Sequence, residues 1–134
     1  MTGFELAVAC LALNIYWESA HEPIEGQYAV AFVTINRTKE RNLDVCKVVF
    51  EDRQFSWANH ALDSHGKLLP QYIPSGIAWQ QARTVARVSL SSELVDITNG
   101  STHYHADYIA KPKWAKKMKQ TGKWGHHLFY REVR

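Results

Sequence analysis

The sequence predicts an α+β fold in which helices come first and a small antiparallel sheet follows near the C-terminus. Apolar residues recur at helical spacing in three long stretches before residue 94. From residue 96 onward the pattern changes to alternating, β-favouring residues, and Gly122-Lys123-Trp124-Gly125 is typical of a hairpin turn. Because the helical and strand patterns are segregated along the chain, an α+β domain is favoured over alternating α/β units.

A proline separates the first two predicted helices. Apolar residues from Leu6 to Trp17 recur every three or four positions, which predicts a helix over residues 4–20. Pro23 ends this pattern because proline and the residue before it disfavour a continuing helix. A second amphipathic pattern then predicts a helix over residues 25–39.

The remaining elements follow from capping residues and changes of period. Asp44 is a typical N-cap and predicts a short helix over residues 44–50. Residues 51–75 have no periodicity, and a long irregular stretch in a compact domain is usually functional. A third long helix is predicted over residues 77–93. The predicted strand segments are 96–107, 116–121 and 126–131.

The length and composition are those of a single globular domain. The 134 residues are 46% apolar and 22% charged, which suffices for a buried core, so residues 1–134 are expected to form one domain. The apolar run at residues 4–15 lacks a basic flank and indicates a core helix rather than a signal peptide. Cys10 and Cys46 lie among apolar residues and are expected to be buried, reduced thiols.

The charge is unevenly distributed along the chain. Residues 1–110 carry eight Lys and Arg against twelve Asp and Glu, whereas residues 111–134 carry eight against one. A basic tail of this kind favours contact with nucleic acid, with anionic lipid or with an anionic polymer such as cell wall. The alternative interpretation is a solvated basic face with no partner.

Three short segments combine aromatic rings with polar residues of catalytic type. They are residues 16–22, 54–57 and 100–105. In the first segment Glu18 follows Trp17 at the end of a predicted helix, where apolar surroundings and the negative end of the helix dipole both favour a protonated carboxyl group. Cleavage of a glycosidic bond needs a protonated acid, so Glu18 is the candidate catalytic residue. The alternative is an exposed polar residue on an amphipathic helix.

Short motifs in a fixed order run along nearly the whole chain. They are Glu18 with Glu22, Glu25-Gly26-Gln27, Asn36-Arg37, Val45-Cys46-Lys47-Val48-Val49-Phe50, Gln54-Phe55-Ser56-Trp57, Thr102-His103-Tyr104-His105, Pro112-Lys113-Trp114 and Gly125-His126-His127-Leu128-Phe129-Tyr130. In this order they resemble the motifs of SleB-type cell-wall hydrolases, a family of spore-cortex-lytic enzymes and bacteriophage endolysins. The chain differs at Glu18-Ser19-Ala20-His21-Glu22, where the family usually has Glu-Ala-Arg-Gly-Glu.

The resemblance implies a lysozyme-like or lytic-transglycosylase-like domain in which Glu18 is the single acid. The substrate would be the glycan strands of bacterial peptidoglycan, cut between N-acetylmuramic acid and N-acetylglucosamine with closure of a 1,6-anhydro ring. We accordingly expect a phage endolysin that needs no cofactor, acts as a monomer without nucleic acid or membrane insertion, and passes from the host cytoplasm to the wall at lysis. A hydrolytic muramidase, and a non-catalytic carbohydrate- or nucleic-acid-binding module, are the alternatives.

Two further glutamates are candidates to support Glu18. A retaining glycosidase places its two carboxyl groups about 5 Å apart, and an inverting one about 6.5–9.5 Å apart. Pro23 interrupts the helical register, so the separations of Glu22 and Glu25 from Glu18 do not follow from spacing. By resemblance Glu22 braces the loop, whereas Glu25 could equally lie in the favourable first turn of the second helix.

Aromatic and hydroxyl side chains are expected to form the cleft around Glu18. Gln54 and Ser56 are able to bind sugar hydroxyls, and Trp57 is able to stack on a pyranose ring, although the same loop could instead be anchored by core aromatics. In the strand pattern, Thr102 and Tyr104 share one face, and by resemblance they lie near Glu18. The predicted substrate-binding residues are Tyr16, Gln54, Ser56, Trp57, Thr102, Tyr104 and Tyr130.

His103 and His105 share the opposite strand face, and they raise the alternative of a metal site. Two histidines on one strand are a common ligand pair, but the sequence has no HExxH motif. We therefore predict no metal and assign both histidines a supporting role. Ser56 is not part of a GxSxG motif, so a serine nucleophile is also disfavoured.

Overall fold

The computed structural model describes residues 2–51, 55–91 and 94–133, and its α+β fold confirms the predicted order of helices and strands. The helices are α1 (Gly3–Ser19), α2 (Ile24–Arg41), α3 (Val45–Phe50) and α4 (Ile77–Leu90). The strands are β1 (His103–Ala106), β2 (Met118–Trp124) and β3 (His127–Glu132). Short 3₁₀ turns occur at Ser56–His60, Pro70–Tyr72 and Lys113–Lys117.

Local sequence signals set the ends of several helices. The Thr2 hydroxyl accepts a hydrogen bond from the Glu5 amide at 3.0 Å and caps α1. Asp44 accepts from the Lys47 amide at 2.9 Å, which confirms it as the N-cap of α3. Asn42 ends α2 in the left-handed conformation, with φ of 54°, which asparagine tolerates better than most residues.

Helix α1 is the centre of the helical core. Leu11, Ala12 and Ile15 are fully buried, and α1 packs on α2, α3 and α4. Leu6, by contrast, is 51% exposed, so the buried surface of α1 is not the simple stripe that its spacing predicts. No helix in residues 2–51, 55–91 and 94–133 has the length and apolar character needed to cross a membrane.

The three strands form one antiparallel sheet in the order β1-β3-β2. Tyr104 of β1 pairs with Phe129 of β3, and His103 pairs with Tyr130. Phe129 is fully buried against α2, with Ala29, Val30 and Val33 in the same apolar cluster. The sheet is thus fixed to α2 by the face that carries Phe129 and Tyr104.

The hairpin turn lies later than predicted. Gly122 belongs to β2, where the register shifts at a bulge between Gln120 and Gly122. Of the four predicted turn residues, only Gly125 lies in the turn, with φ of 61°. A Cβ atom on Gly122 would lie 2.5 Å from the ring of Trp124. Gly122 is therefore needed for close packing inside the strand rather than for turning the chain.

The predicted strand over residues 96–107 is also shorter in the structure, because its first half is a turn. The Asp96 carboxylate accepts hydrogen bonds from the Thr98 amide and hydroxyl, the Gly100 amide and the Asn36 side chain. These bonds lower the pKa of Asp96 although partial burial opposes the shift. Side-chain bonding to nearby backbone replaces the strand ladder here.

The expectation of reduced thiols is wrong, because Cys10 and Cys46 form a disulfide. Their Cα atoms lie 5.2 Å apart, which is within the usual range for a disulfide. The bond links α1 to the first turn of α3, which are 36 residues apart in sequence. Their proximity is a property of the tertiary fold and is not visible in two isolated cysteines of a sequence.

Candidate active site

Glu18 lies in the last turn of α1, at an open cleft of about 330 Å³. The last helical bond runs from the Ala20 amide to the Tyr16 carbonyl, and the chain then turns through a bond of 2.9 Å from the Glu22 amide to the Ser19 carbonyl. This turn carries the carboxylate of Glu18 to the wall of the cleft. The cleft is lined by Tyr16, Trp17, Glu18, Ser19, Ala20, His21, Glu22, Ala78 and Tyr108.

Tyr104 is the direct partner of the Glu18 carboxylate. Its hydroxyl donates a hydrogen bond of 2.6 Å to Glu18 Oε1. Burial raises the pKa of Glu18 above its ordinary value, while the bond from Tyr104 and the nearby charge of Arg37 oppose the rise. The result is a carboxyl group biased toward the protonated form and held in a fixed orientation.

Tyr104 is placed by its register in the sheet. It pairs with Phe129 on β3, and its ring also packs edge-on against His127, with 5.0 Å between ring centroids. Burial and the neighbouring Glu18 carboxylate raise the pKa of Tyr104 well above its ordinary value. Tyr104 is therefore a neutral hydroxyl donor throughout the pH range in which Glu18 titrates.

Arg37 connects α2 to the same region. Its Nε atom donates a 2.6 Å hydrogen bond to the carbonyl of Thr102, and its guanidinium lies over the ring of Phe55, 4.9 Å from the centroid. Burial lowers the pKa of Arg37, but an arginine so placed stays charged. Arg37 was not predicted as a site residue, although the motif Asn36-Arg37 marked its position.

Glu22 holds the hairpin rather than facing Glu18. Its side chain is 9% exposed, and Oε1 accepts a hydrogen bond of 3.0 Å from the His126 amide. The Nδ1 atom of His127 lies 3.4 Å from the same oxygen, and burial lowers the pKa of His127. A Cβ atom on Gly125 would lie 2.7 Å from Glu22 Oε2, so the carboxylate fits against a turn that only glycine leaves open.

Glu25 lies apart from this arrangement. It is exposed in the first turn of α2, where a negative charge is favoured by the helix dipole. Of the two predicted supporting glutamates, the structure therefore brings Glu22 to the cleft and leaves Glu25 on the surface. His127 lies beside Glu22 and packs on Tyr104, and it was not among the predicted site residues.

The aromatic residues near Glu18 form two layers. Tyr16 lines the cleft and packs edge-on against Trp17 and Trp79, at 5.1 and 6.1 Å. Trp17 stacks on Trp57 at 6.4 Å and donates from Nε1 to the carbonyl of Tyr72. Tyr16 thus lies at the cleft surface, whereas Trp57 lies beneath it.

Trp57 has a core role in this structure. It is 9% exposed, and its Nε1 atom donates a 2.8 Å hydrogen bond to Asn14, which in turn donates to Thr34. Ser56 is exposed on the same 3₁₀ turn and is not among the residues that line the Glu18 cleft. The predicted binding residue Gln54 lies outside the described residues.

The strand face opposite Tyr104 carries the remaining predicted residues. The Nε2 atom of His105 is hydrogen-bonded to the hydroxyl of Tyr130 at 2.9 Å. The rings of His103, His105 and Tyr130 each pack against Trp114. The structure therefore places Tyr130, His103 and His105 on the far side of the sheet from Glu18.

Thr102 is buried next to this strand, with its hydroxyl 2.8 Å from His103 Nδ1. Its backbone carbonyl, rather than its side chain, reaches Arg37. Among residues 2–51, 55–91 and 94–133, no group of three or more His, Cys, Asp or Glu side chains is arranged to hold a metal ion. Tyr108, by contrast, lines the Glu18 cleft and was not predicted, because a single tyrosine in a loop gives no sequence signal.

Comparison with known proteins agrees with the motifs in the sequence. Residues 21–130 match the sequence profile of a family described as Cell Wall Hydrolase. The catalytic domain of the Bacillus cereus SleB protein is 27% identical with a TM-score of 0.74, over 95% of this chain and 91% of that one. The catalytic domain of the germination-specific lytic transglycosylase SleB from Bacillus anthracis is 27% identical with a TM-score of 0.72, over 93% of each chain.

No curated protein sequence matches the chain at a significant level. The family profile nevertheless spans most of the chain, and both solved structures share its architecture over nearly their whole length. The predicted resemblance is thereby confirmed. The chain belongs to the family of SleB-type cell wall hydrolases and is an enzyme that cleaves cell-wall material.

Proposed function

We propose that the protein cuts the glycan strands of peptidoglycan as a lytic transglycosylase, at the bond that joins N-acetylmuramic acid to N-acetylglucosamine. The observation that carries this proposal is the setting of Glu18, a buried carboxyl group at the cleft whose hydrogen-bond partner among the described residues is the Tyr104 hydroxyl. Burial raises the pKa of Glu18, and the bond from Tyr104 and the charge of Arg37 oppose the rise. Glu22, the nearest acid along the chain that lines the same cleft, is engaged with the hairpin backbone.

A single buried acid supports a mechanism in which one residue acts twice. Protonated Glu18 gives its proton to the glycosidic oxygen, and the bond from that oxygen to C1 of the muramoyl residue breaks. Glu18, now a carboxylate, removes the proton of the muramoyl 6-hydroxyl. The 6-oxygen then bonds to C1 and closes the 1,6-anhydro ring, so the proton lost in the first step is regained in the second.

The surroundings of Glu18 suit both steps. Burial raises the pKa of Glu18 and favours the proton donor of the first step. The hydrogen bond from Tyr104 stabilises the carboxylate of the second step. The 2-acetamido group of the substrate stabilises positive charge at C1, so the protein needs no nucleophile of its own.

The similar structure from Bacillus anthracis also supports this reaction, because that protein is described as a lytic transglycosylase.

We also propose that the protein acts as a monomeric phage endolysin that is made in the host cytoplasm and reaches the wall when the membrane is breached. The Cys10–Cys46 disulfide supports activity outside the cytoplasm, because disulfides persist in oxidising compartments.

The products of sacculus digestion test the proposed reaction. Purified sacculi are digested to completion with the protein, and the released muropeptides are measured by mass spectrometry. Anhydro ends are expected, each lighter by about 18 Da, one water, than the hydrolysed end. Reducing, hydrated muramic acid ends would instead identify a hydrolytic muramidase. Stem-peptide fragments with intact glycan would show that glycan cleavage is the wrong reaction.

The proposed role as an endolysin is tested separately. The protein is expressed inside a susceptible host, and culture turbidity is followed before and after the inner membrane is permeabilised. Lysis is expected only after permeabilisation. Lysis without permeabilisation would contradict release from the cytoplasm as the controlling step.

A further inference from the structure

Tyr108 is an exposed aromatic residue in the wall of the Glu18 cleft. Its side chain is 82% exposed, whereas Tyr16 in the same cleft is partly covered by Trp17 and Trp79. An aromatic ring left in water does not gain the hydrophobic stabilisation of burial, which for a covered ring involves about 150–250 Å² of surface. A ring presented in this way beside a reactive carboxyl group is available to a ligand in the cleft.

The turn that carries Tyr108 is firmly anchored. The Asp107 amide donates a 2.7 Å hydrogen bond to the His126 carbonyl, and the Asp107 carboxylate lies 3.1 Å from the Lys123 ammonium. On the other side of Tyr108, the Ile109 amide bonds to the Ala106 carbonyl at 3.4 Å. Bonds on both sides of the residue restrain its backbone, so little backbone freedom is lost when Tyr108 meets a ligand.

We infer that Tyr108 is a substrate-binding platform on which one pyranose ring of the glycan strand stacks. The C–H groups on one face of a pyranose carry slight positive charge, and the face of an aromatic ring is negative. Tyr16 and Tyr108 both line the cleft that holds Glu18, so a glycan strand bound there meets both rings. This inference rests on the proposed glycan cleavage and adds a specific contact that the acid chemistry does not require.

The expected effect is on binding rather than on the chemical step. A sugar stacked away from the bond being cut contacts Tyr108 equally in the ground state and the transition state, and losing such a contact raises KM while kcat is unchanged. Tyr108→Ala is expected to raise KM by about 10-fold, which equals about 1.4 kcal/mol. Tyr108→Phe keeps the ring, so its KM should stay within about twofold of the wild-type value.

The experiment uses soluble peptidoglycan oligosaccharides of increasing length and measures kcat and KM by chromatography of the products. The matched control is Phe4→Ala, which removes an exposed aromatic ring near the start of α1, about 21 Å along the helix from Glu18. The melting temperature of each variant shows whether the fold is retained. Phe4→Ala is expected to leave KM and kcat at wild-type values.

Two results would contradict the proposed stacking on Tyr108. One is an unchanged KM in Tyr108→Ala, which together with a fall in kcat would place Tyr108 in the chemical step. The other is an equal loss in Tyr108→Ala and Tyr108→Phe, which would assign the effect to the hydroxyl. If the wild-type protein cleaves no oligosaccharide, the proposed function fails first, which is distinct from a failure confined to the Tyr108 variants.

Discussion

The hydrogen bond from Tyr104 to Glu18 predicts how the enzyme responds to pH. Tyr104→Phe removes the hydroxyl that donates to Glu18 Oε1 at 2.6 Å and leaves the ring that packs on Phe129. Burial raises the pKa of Glu18, and this hydrogen bond opposes the rise. Without the bond the pKa of Glu18 rises further, so the carboxyl group stays protonated to higher pH.

The size of the effect follows from the strength of one hydrogen bond to a charged group, which is about 1.5–3 kcal/mol. Because 1.36 kcal/mol corresponds to a factor of ten, the ratio of protonated to ionised Glu18 at a given pH should rise about 10- to 150-fold. The cleft is open to water, and water replaces part of the lost bond, so the lower end of this range is expected.

The assay is the initial rate of sacculus clearance at low substrate, measured from acid to alkaline pH. In the proposed mechanism kcat/KM falls as the pH rises through the pKa of Glu18, because the acid is lost. This alkaline fall should move to higher pH in Tyr104→Phe. Tyr130→Phe is the matched control, since it removes a tyrosine hydroxyl bonded to His105 on the opposite face of the same sheet.

An alkaline fall in Tyr104→Phe that coincides with the wild-type profile, or that moves to lower pH, would refute this reasoning. A shift of equal size in Tyr130→Phe would show that the effect comes from the sheet as a whole rather than from the bond to Glu18.

Three further predictions concern the parts that support the cleft. Replacing Cys10 and Cys46 by Ala should lower the free energy of unfolding by about 2–4 kcal/mol and the melting temperature by roughly 7–14 °C, because the disulfide closes a long loop; an unchanged thermal melt would contradict this. Glu22→Gln should lower the free energy of unfolding, measured with urea, by about 1–2 kcal/mol because the charged side chain binds the hairpin, and kcat should be retained. A loss of kcat without a loss of stability would assign Glu22 to the chemistry. The double variant Lys116→Glu, Lys119→Glu should bind sacculi more weakly at low salt. The loss should be much smaller at physiological salt, where charges are screened beyond about 8 Å. Normal binding at every salt concentration would indicate that these exposed lysines only protect the edge strand β2.

The helices and the aromatic surroundings of Glu18 were predictable from the sequence because their signals are local. Asp44 caps α3 through an amide three residues away, and Glu18 lies among aromatic residues that are its neighbours in sequence. These two features need no knowledge of how distant segments pack. Tyr104 was placed near Glu18 by the family resemblance, and its hydroxyl does reach Glu18, whereas the Thr102 side chain bonds to His103 instead.

The features that the sequence did not reveal depend on distant packing. The Cys10–Cys46 bond exists because α3 starts beside the middle of α1. Trp57 has the residue type of a sugar platform, but its Nε1 atom bonds to Asn14 in the core. In the sequence Tyr108 cannot be told from any other loop tyrosine. Its place at the cleft depends on the bonds that Asp107 makes to the hairpin. In each case the residue type allows two roles, and only the tertiary neighbours decide between them.

The central claim is that Glu18 is the acid and base of glycan cleavage, and a pair of glutamate variants tests it most directly. Glu18→Gln keeps the shape of the side chain but has no proton to donate, whereas Glu25→Gln makes the same change on the exposed first turn of α2. Release of muropeptides from sacculi should fall by about 10²–10⁴-fold in Glu18→Gln. It should remain at the wild-type rate in Glu25→Gln, with both variants folded. Wild-type release of muropeptides by Glu18→Gln would contradict the account.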